Sequence, residues 1–133
     1  MTGSTRVLVL VGALLVGAAH LQAQQAAPPA GPPDTVALRA ARATLRSDLR
    51  NFLVAQESYF ADHTTYARSL REMGTTYVPS RGVTIVLLTS ANTGHSEIAI
   101  IDRMPGLVCG MFVGVGPSPL GTGSEGEVVC RDP

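Results

Sequence analysis

The sequence predicts an α+β domain in which one long amphipathic helix packs on a small antiparallel sheet of about four strands. Three observations carry that expectation. A 3.6-residue apolar periodicity occupies Asp34 to Phe60. Short β-rich runs separated by turn residues fill the second half of the chain. A helical pattern followed by a run of strands is the arrangement that segregates helix and sheet into two layers.

In the helical stretch, Leu38, Leu45, Phe52 and Tyr59 recur every seven residues, and Ala41, Leu49, Leu53, Gln56 and Phe60 fill the intermediate offsets. One face of a helix receives all of them. Asp34 is the expected N-cap, since its carboxylate can accept from the free N–H groups of the first turn. Arg39, Arg42, Arg46, Asp48 and Arg50 fall mostly off the stripe and read as a solvated face, with an Arg-rich contact surface as the alternative. Beyond Asp62, a short helical turn is expected at Ser69 to Met73, ended by Gly74, with Tyr66, Leu70 and Met73 folded back onto the helix.

The strands follow. Val83 to Thr89 (VTIVLLT) is β-branched and aliphatic, and Ser90 to Thr93 is turn-like. His95 to Ile101 alternates, placing Ser96, Ile98 and Ile100 on one face and His95, Glu97 and Ala99 on the other. Met104-Pro105-Gly106 marks a turn before a third strand, Leu107 to Val113. Gly114 to Gly126 contains five Gly and two Pro and is a loop; Glu127 to Arg131 is a short fourth strand. Short links between consecutive strands imply a meander.

The segment ahead of the helix divides in two. Residues 1–23 carry Arg6, an apolar run from Val7 to Leu21 and a small residue at Ala23, the pattern of a cleaved signal peptide. The run is shorter than the ~20 residues a span requires, so a retained anchor is the second reading. Residues 24–33 (QQAAPPAGPP) form a Pro-rich linker. That leaves 34–133, about 100 residues, as one domain. Export places Cys109 and Cys130 in an oxidising compartment, where an even pair on two strands is expected to form a disulfide worth roughly 3 kcal/mol. Membrane contact is expected only if the N-terminal segment is kept.

Formal net charge is zero, and all ten basic residues are Arg, without a basic stripe. Nucleic-acid binding is therefore not expected. No cofactor or metal site is expected: Asp62 with His63 and His95 with Glu97 each offer two ligands where zinc takes three or four, and Glu125 with Glu127, which with nearby loop carbonyls could hold a calcium, lack the regular acidic spacing of a calcium loop. His63 and His95 read as a loop His and a strand-edge His, without a recognised nucleophile–base motif. The glycines at 110, 114 and 116 lack the Lys and helix start of a phosphate loop. The best candidate partner-binding surface is the loop holding Gly114, Gly116, Pro117, Leu120, Gly121, Gly123 and Glu125, because loops on rigid scaffolds carry recognition.

Several short motifs then occur in a familiar order: DLRN at Asp48–Asn51, QESYF at Gln56–Phe60, TYA at Thr65–Ala67, GVTIVL from Gly82, GHSEIAI from Gly94, and the two late Cys. From roughly Leu45 to the end, the chain resembles the globular head of bacterial type IV pilins. The resemblance implies a helix on an antiparallel sheet, with the Cys pair bounding a C-terminal loop. A pilin opens with a basic leader, a prepilin-peptidase site of the GFTLIE kind and a continuous hydrophobic helix; here a signal-like segment and the linker stand in that place. The expectation is an exported, non-enzymatic pilin-like head that binds a protein partner or itself. A membrane-anchored subunit of a pilus or type II secretion filament is the first alternative. A small periplasmic enzyme or ligand-binding protein is the second.

Overall fold

A computed structural model describes residues 33–133, with side chains from Thr35 onward. Residues 1–32, and with them the signal peptide and most of the linker, lie outside the described residues. Helix α1 spans Pro33–His63 and a one-turn helix α2 spans Leu70–Met73. Strands β1 (Val83–Ala91), β2 (Gly94–Ile101), β3 (Val108–Gly114) and β4 (Val129–Arg131) form one antiparallel sheet in the order β1-β2-β3-β4. The α+β arrangement, the meander and the four strands are as expected.

α1 is longer than expected at both ends. It begins at Pro33, whose fixed φ suits a first helical position, so Asp34 is a helical residue and not the N-cap. It continues past Phe60 to His63 and stops where Thr64 takes φ 57°, a left-handed conformation costly for a β-branched residue. The Thr64 N–H closes the last turn on the Phe60 carbonyl at 2.8 Å.

The expected stripe is the core face, except that Phe60 is only half-buried and packs on Tyr66 outside the core. Ala41, Leu45, Leu49, Phe52 and Gln56 are all fully buried, and Leu38, Leu53 and Tyr59 pack at its margin. The sheet supplies Val83, Ile85, Ala99, Ile101, Cys109 and Met111 from the facing side, and Leu107 joins them just ahead of β3. Two polar residues of α1 bind the chain that wraps this core. Gln56 Nε2 donates to the Ala67 carbonyl at 3.0 Å, and Gln56 Oε1 accepts from the Ala67 N–H at 2.8 Å. This satisfies both backbone groups of a buried loop residue with one amide.

Asp48 corrects the expectation of a solvated face: it is 3% exposed and accepts from both the backbone N–H and the hydroxyl of Ser80. A carboxylate on the helix thereby holds the segment that leads into β1. Arg42, also assigned to that face, pairs with Asp132 at the far end of the chain.

α2 begins and ends where expected. Ser69 Oγ accepts from the Glu72 N–H, while the Glu72 carboxylate accepts from the Arg68 N–H at 2.7 Å; together these make a reciprocal cap. Gly74 ends the turn at φ 61°. Tyr66 and Met73 are buried and Leu70 is partly buried, as the fold-back required. The β1–β2 turn is tighter than expected, since Ala91 pairs with Gly94 and only Asn92 and Thr93 remain outside the ladder.

Candidate functional site

The loop from Val115 to Val128 is held at both ends. Cys109 and Cys130 are register partners on β3 and β4 and are joined by the expected disulfide. At its start, the loop is pressed against the β1–β2 turn: the Val115 N–H donates to the Thr93 carbonyl at 3.0 Å. That approach requires glycine on both strands. A Cβ on Gly94 would lie 2.2 Å from the Val113 carbonyl oxygen, and one on Gly114 would lie 2.1 Å from that of Thr93.

The interior of the loop is also tied. Glu125 accepts from the Gly114 N–H at 2.7 Å, and Glu127 accepts from the Ser124 N–H at 2.9 Å. The Gly126 N–H donates to the Phe112 carbonyl, and the Ser118 hydroxyl to that of Thr122. Pro119 lies on the outer face of the sheet over Gly110, where a Cβ would come within 2.7 Å of its Cγ. Ser96, on the same face, is covered and shares a 2.9 Å hydroxyl contact with Thr89.

The candidate loop residues therefore separate by role. Gly114, Gly123 and Glu125 build the loop; Gly123 leaves only 2.5 Å between a hypothetical Cβ and the Val129 side chain. Pro117 and Gly121 are exposed, and Gly116 and Leu120 are half-buried. Val115 was missed by the sequence reading, although it is 87% exposed, the most exposed of the large apolar residues described. Its signal was a β-branched apolar residue set between two glycines.

His95 corrects the expectation of a strand-edge residue. It sits on β2, an internal strand, without exposure, and its Nδ1 is 2.7 Å from Glu97 Oε2, itself without exposure. The edge of Phe52 from α1 and the ring of Tyr66 from the wrapping loop close over His95, with centroids at 6.3 and 4.6 Å. Tyr66 is fastened there by its hydroxyl, which donates to Glu57. Burial pushes the Glu97 carboxyl above its ordinary range, against the opposing effect of the His95 hydrogen bond and charge. The phenol of Tyr66 is also raised, by burial first and then by Glu57. His95 Nε2 and Glu97 Oε1 have no hydrogen-bond partner among the described residues.

The other titratable candidates stay apart. His63 is exposed, stacks on Tyr59 with centroids 3.9 Å apart, and shares its Nδ1 with the Tyr59 carbonyl. It borders a cleft of about 120 Å3 that also touches Asp62 and Glu72. A larger cleft, about 360 Å3, lies at the β2–β3 turn and is lined mainly by apolar groups, including Ile100, Met104 and Leu107. Among the described residues, no cluster of three or more His, Cys, Asp or Glu is placed to hold a metal, and no helix is long and apolar enough to cross a membrane.

Chemically, then, the helix side of the sheet offers a sealed acid–imidazole pair, and the opposite side offers an ordered loop with apolar and Pro side chains in solvent. No family model matches the chain, and no curated protein matches it either.

Proposed function

We propose that this chain is an exported, non-enzymatic interaction domain with a pilin-like head, and that it recognises a protein partner through the loop around Val115 and Pro117. The observation that carries the reading is the construction of that loop. It is stapled by a disulfide, bonded internally by its own carboxylates and seated on Gly110, while Val115 and Pro117 remain exposed. A loop ordered before binding loses less conformational freedom on association. Its exposed apolar side chain has no packing role in the domain.

The non-enzymatic part rests on access. Among the described residues, the one imidazole in contact with a carboxylate is His95, and neither it nor Glu97 reaches solvent. A general base must come within hydrogen-bond reach of its substrate.

The test is capture of partners from the exported fraction by the chain and by Val115→Asp, with circular dichroism as the folding control. The variant should fold and lose capture; undiminished capture would remove the loop from the reading. Sequencing the exported protein should give Gln24 as its first residue. A retained Met1 would instead favour the anchored filament subunit.

A further inference from the structure

The two edges of the sheet are built differently. β4 has three residues, includes Arg131 and is stapled to β3. β1 has nine residues, VTIVLLTSA, with neither a charge nor a proline. Charges, proline and short length are the usual means of keeping a sheet edge from pairing with another chain. Among the described residues, the backbone of β1 bonds to β2, and on its open side the Val83 N–H donates to the preceding Ser80 carbonyl; no other backbone bond reaches that side, and the Val83 carbonyl, Ile85 and Leu87 are left to pair.

The same strand exposes apolar side chains. Val86 is 39% and Leu88 49% exposed, and Ile100 on the neighbouring strand is 41% exposed. By register, Val86 pairs with Ile98 and Thr84 with Ile100, so these four side chains share the outer face. The loop covers this face near Ser96 and Gly110 and leaves the Val86 and Ile100 end bare.

We propose that β1 is a self-association edge: two copies pair antiparallel through Val83–Leu87, joining their sheets into one. Charge selects the occupant and the direction. An uncharged strand meets its own copy without repulsion. In the antiparallel pairing the two Arg81 side chains flank opposite ends of the paired stretch, whereas a parallel pairing would set them side by side. The pairing ends at Leu87 because the ladder slips between Leu87 and Thr89, where a bulge turns the edge. On the outer face, Val86 of each copy comes beside Thr84 of the other, extending the patch that continues through Ile98 and Ile100. This edge lies at the opposite end of β1 from the Val115 loop, so the dimer leaves that surface open.

The experiment is sedimentation velocity over a concentration series on the chain purified from its native compartment, with hydrogen exchange at the lowest and highest concentrations. A concentration-dependent dimer is expected, with added amide protection confined to β1. Val86→Lys places a charge in the pairing and should weaken association about tenfold or more. Val54→Lys, on an exposed position of α1, should not change it. Thr84→Lys is the second edge variant, used if Val86→Lys loses its circular dichroism spectrum. A monomer at every concentration, protection gained elsewhere, or an edge variant that dimerises as tightly as the parent would overturn the proposal.

Discussion

On β2, the side chains turned toward α1 include His95 and Glu97, both fully buried, while those turned away include Ile98 and Ile100, the latter 41% exposed. Ala99 and Ile101 complete the inner face, so this strand buries two ionisable groups among apolar ones and leaves branched aliphatic groups partly outside, a departure from the clean alternation of a half-buried sheet. The buried face of the strand follows the position of the helix, and not its own hydropathy alone. α1 presents Phe52, Leu49 and Leu45 to the sheet, and whatever β2 turns in that direction is covered. The cost of burying His95 and Glu97 is offset in part by their mutual hydrogen bond, while the rings of Phe52 and Tyr66 keep water from them.

The largest effect that would break this comparison is at the lid of the inner face. Phe52 packs edge-on to both Tyr77 and His95 and is fully buried. Phe52→Ala should cost about 3–5 kcal/mol in urea unfolding, and a loss below about 1 kcal/mol would show that the inner face is not held by the helix.

A smaller effect sharpens the comparison through pH. Burial raises the Glu97 carboxyl, so the folded state keeps its proton to higher pH than the unfolded state. The folded protein then binds more protons through that interval, and stability falls as pH rises from the ordinary carboxylate value, about 4.3, through the raised one. The contribution is present in full below the interval. Glu97→Gln removes it, and the pH dependence of the unfolding midpoint should flatten over that interval relative to the parent. An unchanged slope would mean that Glu97 is not sealed from water.

The smallest effect belongs to the outer face. Ile100→Thr keeps a β-branched residue at a partly exposed position and should change the stability of the monomer by no more than about 0.5 kcal/mol. A clearly larger loss at low protein concentration would place a covering element over Ile100 within the same chain.

Much of the fold was legible because its signals are local. The stripe from Leu38 to Phe60 is a 3.6-residue periodicity, and the short turn from Ser69 to Met73, ended by Gly74, is written in neighbouring residues. The Cys pair was legible because only one pairing exists. Asp48 was not legible: on a helical wheel it sits among charged neighbours, and its burial depends on Ser80, 32 residues away, arriving with a hydroxyl and an N–H. Nor was the division of labour within the loop. Glu125 looks like a surface carboxylate until Gly114, 11 residues earlier, turns its N–H toward it.

By itself, the sequence determined the order and kind of the elements, the alternation of side chains along β2 and the single disulfide, since each depends on backbone preference or on residues with no competing partner. Only the tertiary structure decided which side of that alternation is interior. Alternation has two faces, each carrying both polar and apolar residues; the choice fell to the position of α1 over β2 and β3, fixed by Phe52, Gln56 and Asp48 gripping segments distant in the chain. Burial is a property of where two surfaces meet, and no residue carries it alone.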